Sequence, residues 1–164
     1  PCLSADVTAA FDPNYAYAYE AGNSTFLNRG VGLSKYTGSR GKGGSNDANA
    51  EFVGQVRKIF DEADVLWQIG ELGKVDQGGG GTVALDISRM NADVIDVGVP
   101  VLSMHSPFEV VSKLDVYMAY KGFKAYFEAD KQNLTEKSSG LPGLFLFGPF
   151  LFAGNLCIIQ LNFL

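Results

Sequence analysis

The sequence predicts a layered α/β domain with a mainly parallel sheet, and three observations carry that expectation. Short β-rich runs alternate with longer segments of helical periodicity. A composition of 46% apolar and 19% charged residues over 164 positions suits one domain with a buried core and excludes general disorder. Glycine contributes 20 residues, about 12% of the chain against a usual ~7%, clustered where strands would hand over to helices.

Taken in order, Leu3-Ser4-Ala5-Asp6 reads as a short strand ended by its aspartate. Val31 to Tyr36 and Val65 to Ile69 read as strands, and Asp93 to Val97 and Pro100 to Met104 as two more short apolar segments. Between them, Asn46 is placed to cap a helix whose Ala50, Phe52, Val53, Val56, Ile59 and Phe60 share one face. A second helix is expected from about Thr82 to about Met90. The third is marked by Ser106-Pro107-Phe108-Glu109, a capping box with proline at the first helical position. It is expected to run to about Glu128, a length of ~30 Å. From Ser138 to Leu164 no residue is charged, and Leu, Phe and Gly dominate. That tail is long enough for a ~20-residue membrane span, but Pro142, Pro149, Gly143, Gly148, Gly154 and Asn155 interrupt it. It is read as an aberrant, read-through-like extension, 131–164, beyond a domain at 1–130, and a membrane is not an expected partner.

Composition also excludes several functions. A formal charge of −5 and a pI near 4.8 argue against nucleic acid as a partner. Cys2 and Cys157, at opposite ends, make neither a zinc ribbon nor a CxxC pair, and a single histidine excludes an HExxH helix. No basic segment followed by an apolar one lies near Pro1, so the expected location is cytoplasmic.

In an open α/β sheet, ligands gather at the carboxyl ends of strands. Three segments there hold the unusual residues: Ser39 to Asn46, Gly70 to Thr82, and Leu102 to Pro107. The run Gly78-Gly79-Gly80-Gly81-Thr82 fails the Walker template, which needs a lysine before the threonine, and Val83 fails the dinucleotide template. It is then a tight turn or bare backbone lining a pocket. Arg40 and Lys42 are either a solvated loop or a clamp for a carboxylate. His105 is either structural or a metal ligand; as a ligand it needs carboxylate companions, for which Asp6 is a candidate and zinc or manganese the suitable ion.

Taken together, Leu3-Ser4-Ala5-Asp6 with Asp12-Pro13-Asn14-Tyr15, Tyr36 to Lys42, Gly70 to Thr82, and Asp96-Val97-Gly98-Val99-Pro100-Val101-Leu102-Ser103-Met104-His105-Ser106-Pro107-Phe108-Glu109 resemble the bacterial branch of the aspartyl aminopeptidase and aminopeptidase I family. The resemblance covers about residues 3 to 129. It implies the C-terminal portion of a three-layer α/β/α zinc-exopeptidase domain that acts on peptides with two zinc ions and assembles as a homo-oligomer of twelve subunits. It implies that Asp6 and His105 are zinc ligands, that Arg40 and Lys42 lie near the substrate, and that Gly80 and Gly81 line the specificity pocket. The family's other histidine ligand, bridging aspartate and paired glutamates lie upstream of the matched segment, so the chain is expected to be inactive alone. The alternative is a non-catalytic, peptide-binding relative of the same fold.

Overall fold

A computed structural model describes residues 1–38, 46–74, 77–137, 150–153 and 156–160. At its centre β1 (Cys2–Ala9) and β4 (Val94–Leu102) run parallel through eight residue pairs, from Cys2 opposite Val94 to Ala9 opposite Val101. β2 (Val31–Ser34) flanks β4, and β3 (Trp67–Ile69) pairs with β2. The two-residue β5 (Val110–Val111) also pairs with β4. On the other side of β1 lie β7 (Leu156–Gln160) and then β6 (Phe150–Ala153), so described parts of the uncharged tail extend the sheet.

The sheet is mixed rather than mainly parallel. β1 is parallel to β4 and to β7, and β2 to β3, but β4 runs antiparallel to β2. The reason is the link from β3 to β4. Its only described helix, α2, is five residues long (Ala84–Ser88), too short at 1.5 Å per residue to carry the chain back along the sheet. The expected helix from Thr82 to Met90 shrinks to this one turn. By contrast, α1 (Ala50–Glu62) is long enough to make the crossover between the parallel β2 and β3.

Alternation along the strands assigns the two faces. Leu3, Ile95, Val97, Val31 and Leu33 pack with Phe52, Val53, Val56 and Phe60 of α1 and with Met118, Ala119 and Tyr126 of α3 (Lys113–Lys137). The opposite face starts apolar, where Cys2 and Val94 meet Ala84 and Ile87 of α2. It then turns polar, with Ser4, Thr8, Ser34 and Asp96 all buried.

Several boundaries differ from those expected. Asn49, not Asn46, caps α1, its side chain accepting from Glu51 N at 2.9 Å. Asn46 is buried instead, and its Nδ2 donates to Val94 O. The two apolar segments around Pro100 are one nine-residue strand, β4. β2 stops at Ser34, with Tyr36 making only an isolated bridge to Asp47, and β3 begins at Trp67. The capping box does not start a helix: Glu109 Oε1 accepts from His105 N at 2.7 Å, but the chain then pairs back on β4 as β5. Ser112 Oγ accepts from Leu114 N in the first turn of α3, which begins at Lys113 and continues to Lys137, past the expected end near Glu128. Among the described residues no helix is long and apolar enough to cross a membrane.

The start of α3 is pinned by a fully buried carboxylate. Asp115 accepts from Asn28 N and Gly30 N, both at 2.8 Å, just ahead of β2. Gly30 has φ +90 and its α-carbon packs on the Leu66 carbonyl, where a Cβ would stand 2.0 Å from the oxygen. Asp115→Ala strands the buried Gly30 N–H and the partly buried Asn28 N–H and is expected to lower unfolding stability by about 3 kcal/mol in urea titration. An unchanged urea midpoint would show that the pin is dispensable.

Candidate metal and substrate site

The residues of β1 and β4 that point away from the α1/α3 core form a polar strip. Ser4 pairs with Asp96, Asp6 with Gly98, and Thr8 with Pro100. Asp6 therefore lies in the middle of a strand rather than at its end. It is half-buried, and Val7 N donates to its Oδ1 at 2.7 Å. Burial pushes its carboxyl above the usual range, while the Val7 N–H and the nearby charge of His105 act in the opposite sense. Glycine at position 98 keeps the neighbouring strand flush: a Cβ there would stand 2.4 Å from the Asp6 carbonyl oxygen.

His105 lies three residues beyond the end of β4, on an exposed turn. Both Ser103 (φ 58) and His105 (φ 67) take left-handed backbone conformations, which turns the chain sharply enough for the Glu109 carboxylate to receive the His105 N–H. The antiparallel β2–β4 pair also means that the three unusual segments do not share one rim. Residues 38–46 and 70–82 follow β2 and β3, whereas His105 follows β4, which runs the other way. Thr37, just ahead of the first segment, and Leu72 and Thr82 of the second border the strip beside Asp6.

A pocket of about 10 Å³, room for roughly one water, opens beside Asp6 and is lined also by Val7, Thr8, Ser34, Thr37, Leu72, Thr82, Asp96 and Gly98. Leu72 and Thr82 bracket the glycine run. Gly80 O accepts from Gly38 N at 3.0 Å, and Gly81 is exposed. Arg40 and Lys42 lie outside the described residues.

Asp96 is the residue that sequence reading passed over. Thr82 Oγ1 donates to its Oδ2 at 2.8 Å, while Oδ1 is buried with no hydrogen-bond partner among the described residues. Burial, reinforced by the Asp6 and Glu71 carboxylates, raises its pKa to about 6. The Thr82 and Ser4 hydroxyls oppose the shift, the latter from a position short of good hydrogen-bond geometry. The signal was present in Val94-Ile95-Asp96-Val97-Gly98-Val99-Pro100: a charged residue in an apolar strand, in phase with Gly98 and Pro100.

A carboxylate and an imidazole close enough to act on each other's charge are donors of a kind that suits zinc. Among the described residues no group of three or more His, Cys, Asp or Glu side chains comes together. A catalytic zinc uses three protein donors, so Asp6 and His105 fit zinc as part of a larger set.

Two outcomes follow from this geometry. Gly98→Ala forces β4 away from Asp6 and is expected to cost on the order of 2 kcal/mol of stability, read as a lower Tm. For Asp96, the folded chain holds a proton between pH ~4 and ~6 that the unfolded chain releases. Stability of the metal-free chain therefore falls as pH rises through that window, by up to about 3 kcal/mol from Asp96, with Asp6 acting in the same direction. Asp96→Asn should flatten most of that slope in urea titrations from pH 4 to 7; an unchanged slope would contradict the assignment.

Comparison with known proteins places this geometry in a family. Residues 1–127 match the family model described as "Aminopeptidase I zinc metalloprotease (M18)". A Clostridium acetobutylicum protein named "Probable M18 family aminopeptidase 1" is 52% identical over 124 residues, 76% of this chain and 27% of that protein. The crystal structure of aminopeptidase I from the same organism superposes with a TM-score of 0.73 over 76% of this chain and 27% of that one. The M18 aminopeptidase structure from Thermotoga maritima, 50% identical, gives 0.72 over 75% and 27%. The chain thus spans about a quarter of the length of the curated relatives it matches. With residues 1–127 matched and about half of the aligned positions identical, the chain belongs to the aminopeptidase I zinc metalloprotease family, M18.

Proposed function

We propose that this chain carries part of the active site of a zinc-dependent aminopeptidase that releases amino-terminal residues from peptides, and that alone it is inactive. The observation that carries the reading is the pairing of Asp6, fixed mid-strand, with His105 on the turn beyond β4, within a chain of the M18 family. In this reading Asp6 and His105 are two zinc ligands of a site holding two ions. The remaining ligands and a glutamate acting as general base come from segments that the matched region does not include. Zinc, when bound, supplies Lewis acidity that polarises the scissile carbonyl.

The chain's own residues act around that centre. Val7 N–H donates to Asp6 Oδ1 and so restrains the carboxylate. Glu109 keeps the His105 turn closed. The backbone at Gly80 and Gly81 lines the pocket for the substrate's first side chain, and Arg40 and Lys42 supply positive charge near it. A division into a catalytic part, 1–130, and an extension, 131–164, belongs to the same reading, as do a cytoplasmic location and a twelve-subunit homo-oligomer of the whole enzyme.

The test is to fuse this chain to the segments of the Clostridium acetobutylicum relative that it does not cover, then measure bound zinc and turnover of aminoacyl p-nitroanilides. The 164-residue chain by itself should give no turnover, and the fusion should be active. Replacing Asp6 or His105 by Ala should lower turnover at least a hundredfold and reduce bound zinc. Full activity in the double Ala variant would sink the assignment, and tight, chelator-insensitive peptide binding without turnover would favour a non-catalytic binding module.

A further inference from the structure

The polar strip contains one buried carboxylate that the metal reading does not use. Asp96 sits in the middle of β4, one row from Asp6 in the register of the sheet, and its Oδ2 receives the Thr82 hydroxyl at 2.8 Å. Thr82 directly follows Gly80-Gly81. Gly80 in turn is bridged to Gly38 through Gly38 N and Gly80 O at 3.0 Å. Thr37, whose Oγ1 is 3.5 Å from Thr82 Oγ1, donates its backbone N–H to Asn46 O.

We infer that Asp96 is a positioning residue that, through Thr82, sets where the glycine run and Gly38 stand relative to Asp6. Gly38 and Gly80 both lie outside the named strands and helices, and an isolated bridge joins them. Without a common anchor, each would settle independently of the metal ligand. A single carboxylate on the central strand references both to the strand pair that carries Asp6. The hydrogen bond is partly buried, which weakens competition from solvent. Its consequence for catalysis is on binding: the substrate's first side chain is read by the anchored backbone, while the donors at Asp6 and His105 stay in place. In this role Asp96 acts through Thr82.

The kinetic half of this inference rests on the aminopeptidase reading; the structural half does not. Thr82→Val removes the donor at nearly constant volume and so avoids the folding risk of Asp96→Ala. In the 164-residue chain, hydrogen exchange should show the Gly38 amide exchanging about tenfold faster in Thr82→Val, the equivalent of one lost hydrogen bond, with α1 amides unchanged. Thr82→Ser should restore the slow rate. In the fusion with the Clostridium relative's segments, Thr82→Val should raise KM about tenfold with kcat within about twofold of the parent and bound zinc unchanged. Gly38 exchange equal to the parent, or faster exchange spread through α1, would overturn the inference. So would a variant that loses zinc and kcat at constant KM. A fusion without peptidase activity would remove the aminopeptidase reading, and the exchange comparison would then decide the anchor by itself.

Discussion

Eight consecutive parallel pairs between β1 and β4 set the position of every other part of the candidate site. They bring Asp6 beside Gly98 and Ser4 beside Asp96, and they determine which residues of both strands face the helices and which face the polar strip. A slip of β1 by one residue would turn Leu3 out of the core and bury Asp6 among apolar side chains. The apolar face packed on α1 and α3 is therefore what enforces the register. Gly98 lets the two backbones lie in contact at the row where the candidate zinc ligand stands.

Much of this was legible in the residues, for reasons that can be named. The α1 face showed through its helical spacing, and four of the six apolar positions there are fully buried. His105 and Asp6 stood out because histidine is scarce and because both lie in motifs that resemble one family. What could not be read was the direction of β4 relative to β2. Hydrophobic pattern identifies a strand but carries no sign of its polarity, and only the shortness of α2 reveals that no crossover takes place. Pro100 likewise suggested a break between two segments, whereas its missing N–H is tolerated within a single strand, at the position paired with Thr8.

The capping box misled for a related reason. Ser106, Pro107 and Glu109 have the chemistry of a helix start, and Glu109 does receive a backbone N–H. The left-handed backbone at Ser103 and His105 turns that same chemistry into a closed turn that leads back to the sheet. Local preference was satisfied in both outcomes, and tertiary pairing with β4 chose between them. Asp96 was overlooked because a carboxylate inside an apolar strand gives no periodic signal. Only its phase relative to Gly98 and Pro100 shows that it faces away from the helices.

Asp6 differs from its candidate partner in the kind of structure that holds it. One donor is built into the least deformable part of the fold, a central strand paired on both sides, while the other rides on an exposed turn that two unusual backbone conformations hold shut. Sequence change can therefore be tolerated very differently at the two. Loops around the pocket can lengthen, shorten or change charge without displacing the strand pair that carries the aspartate.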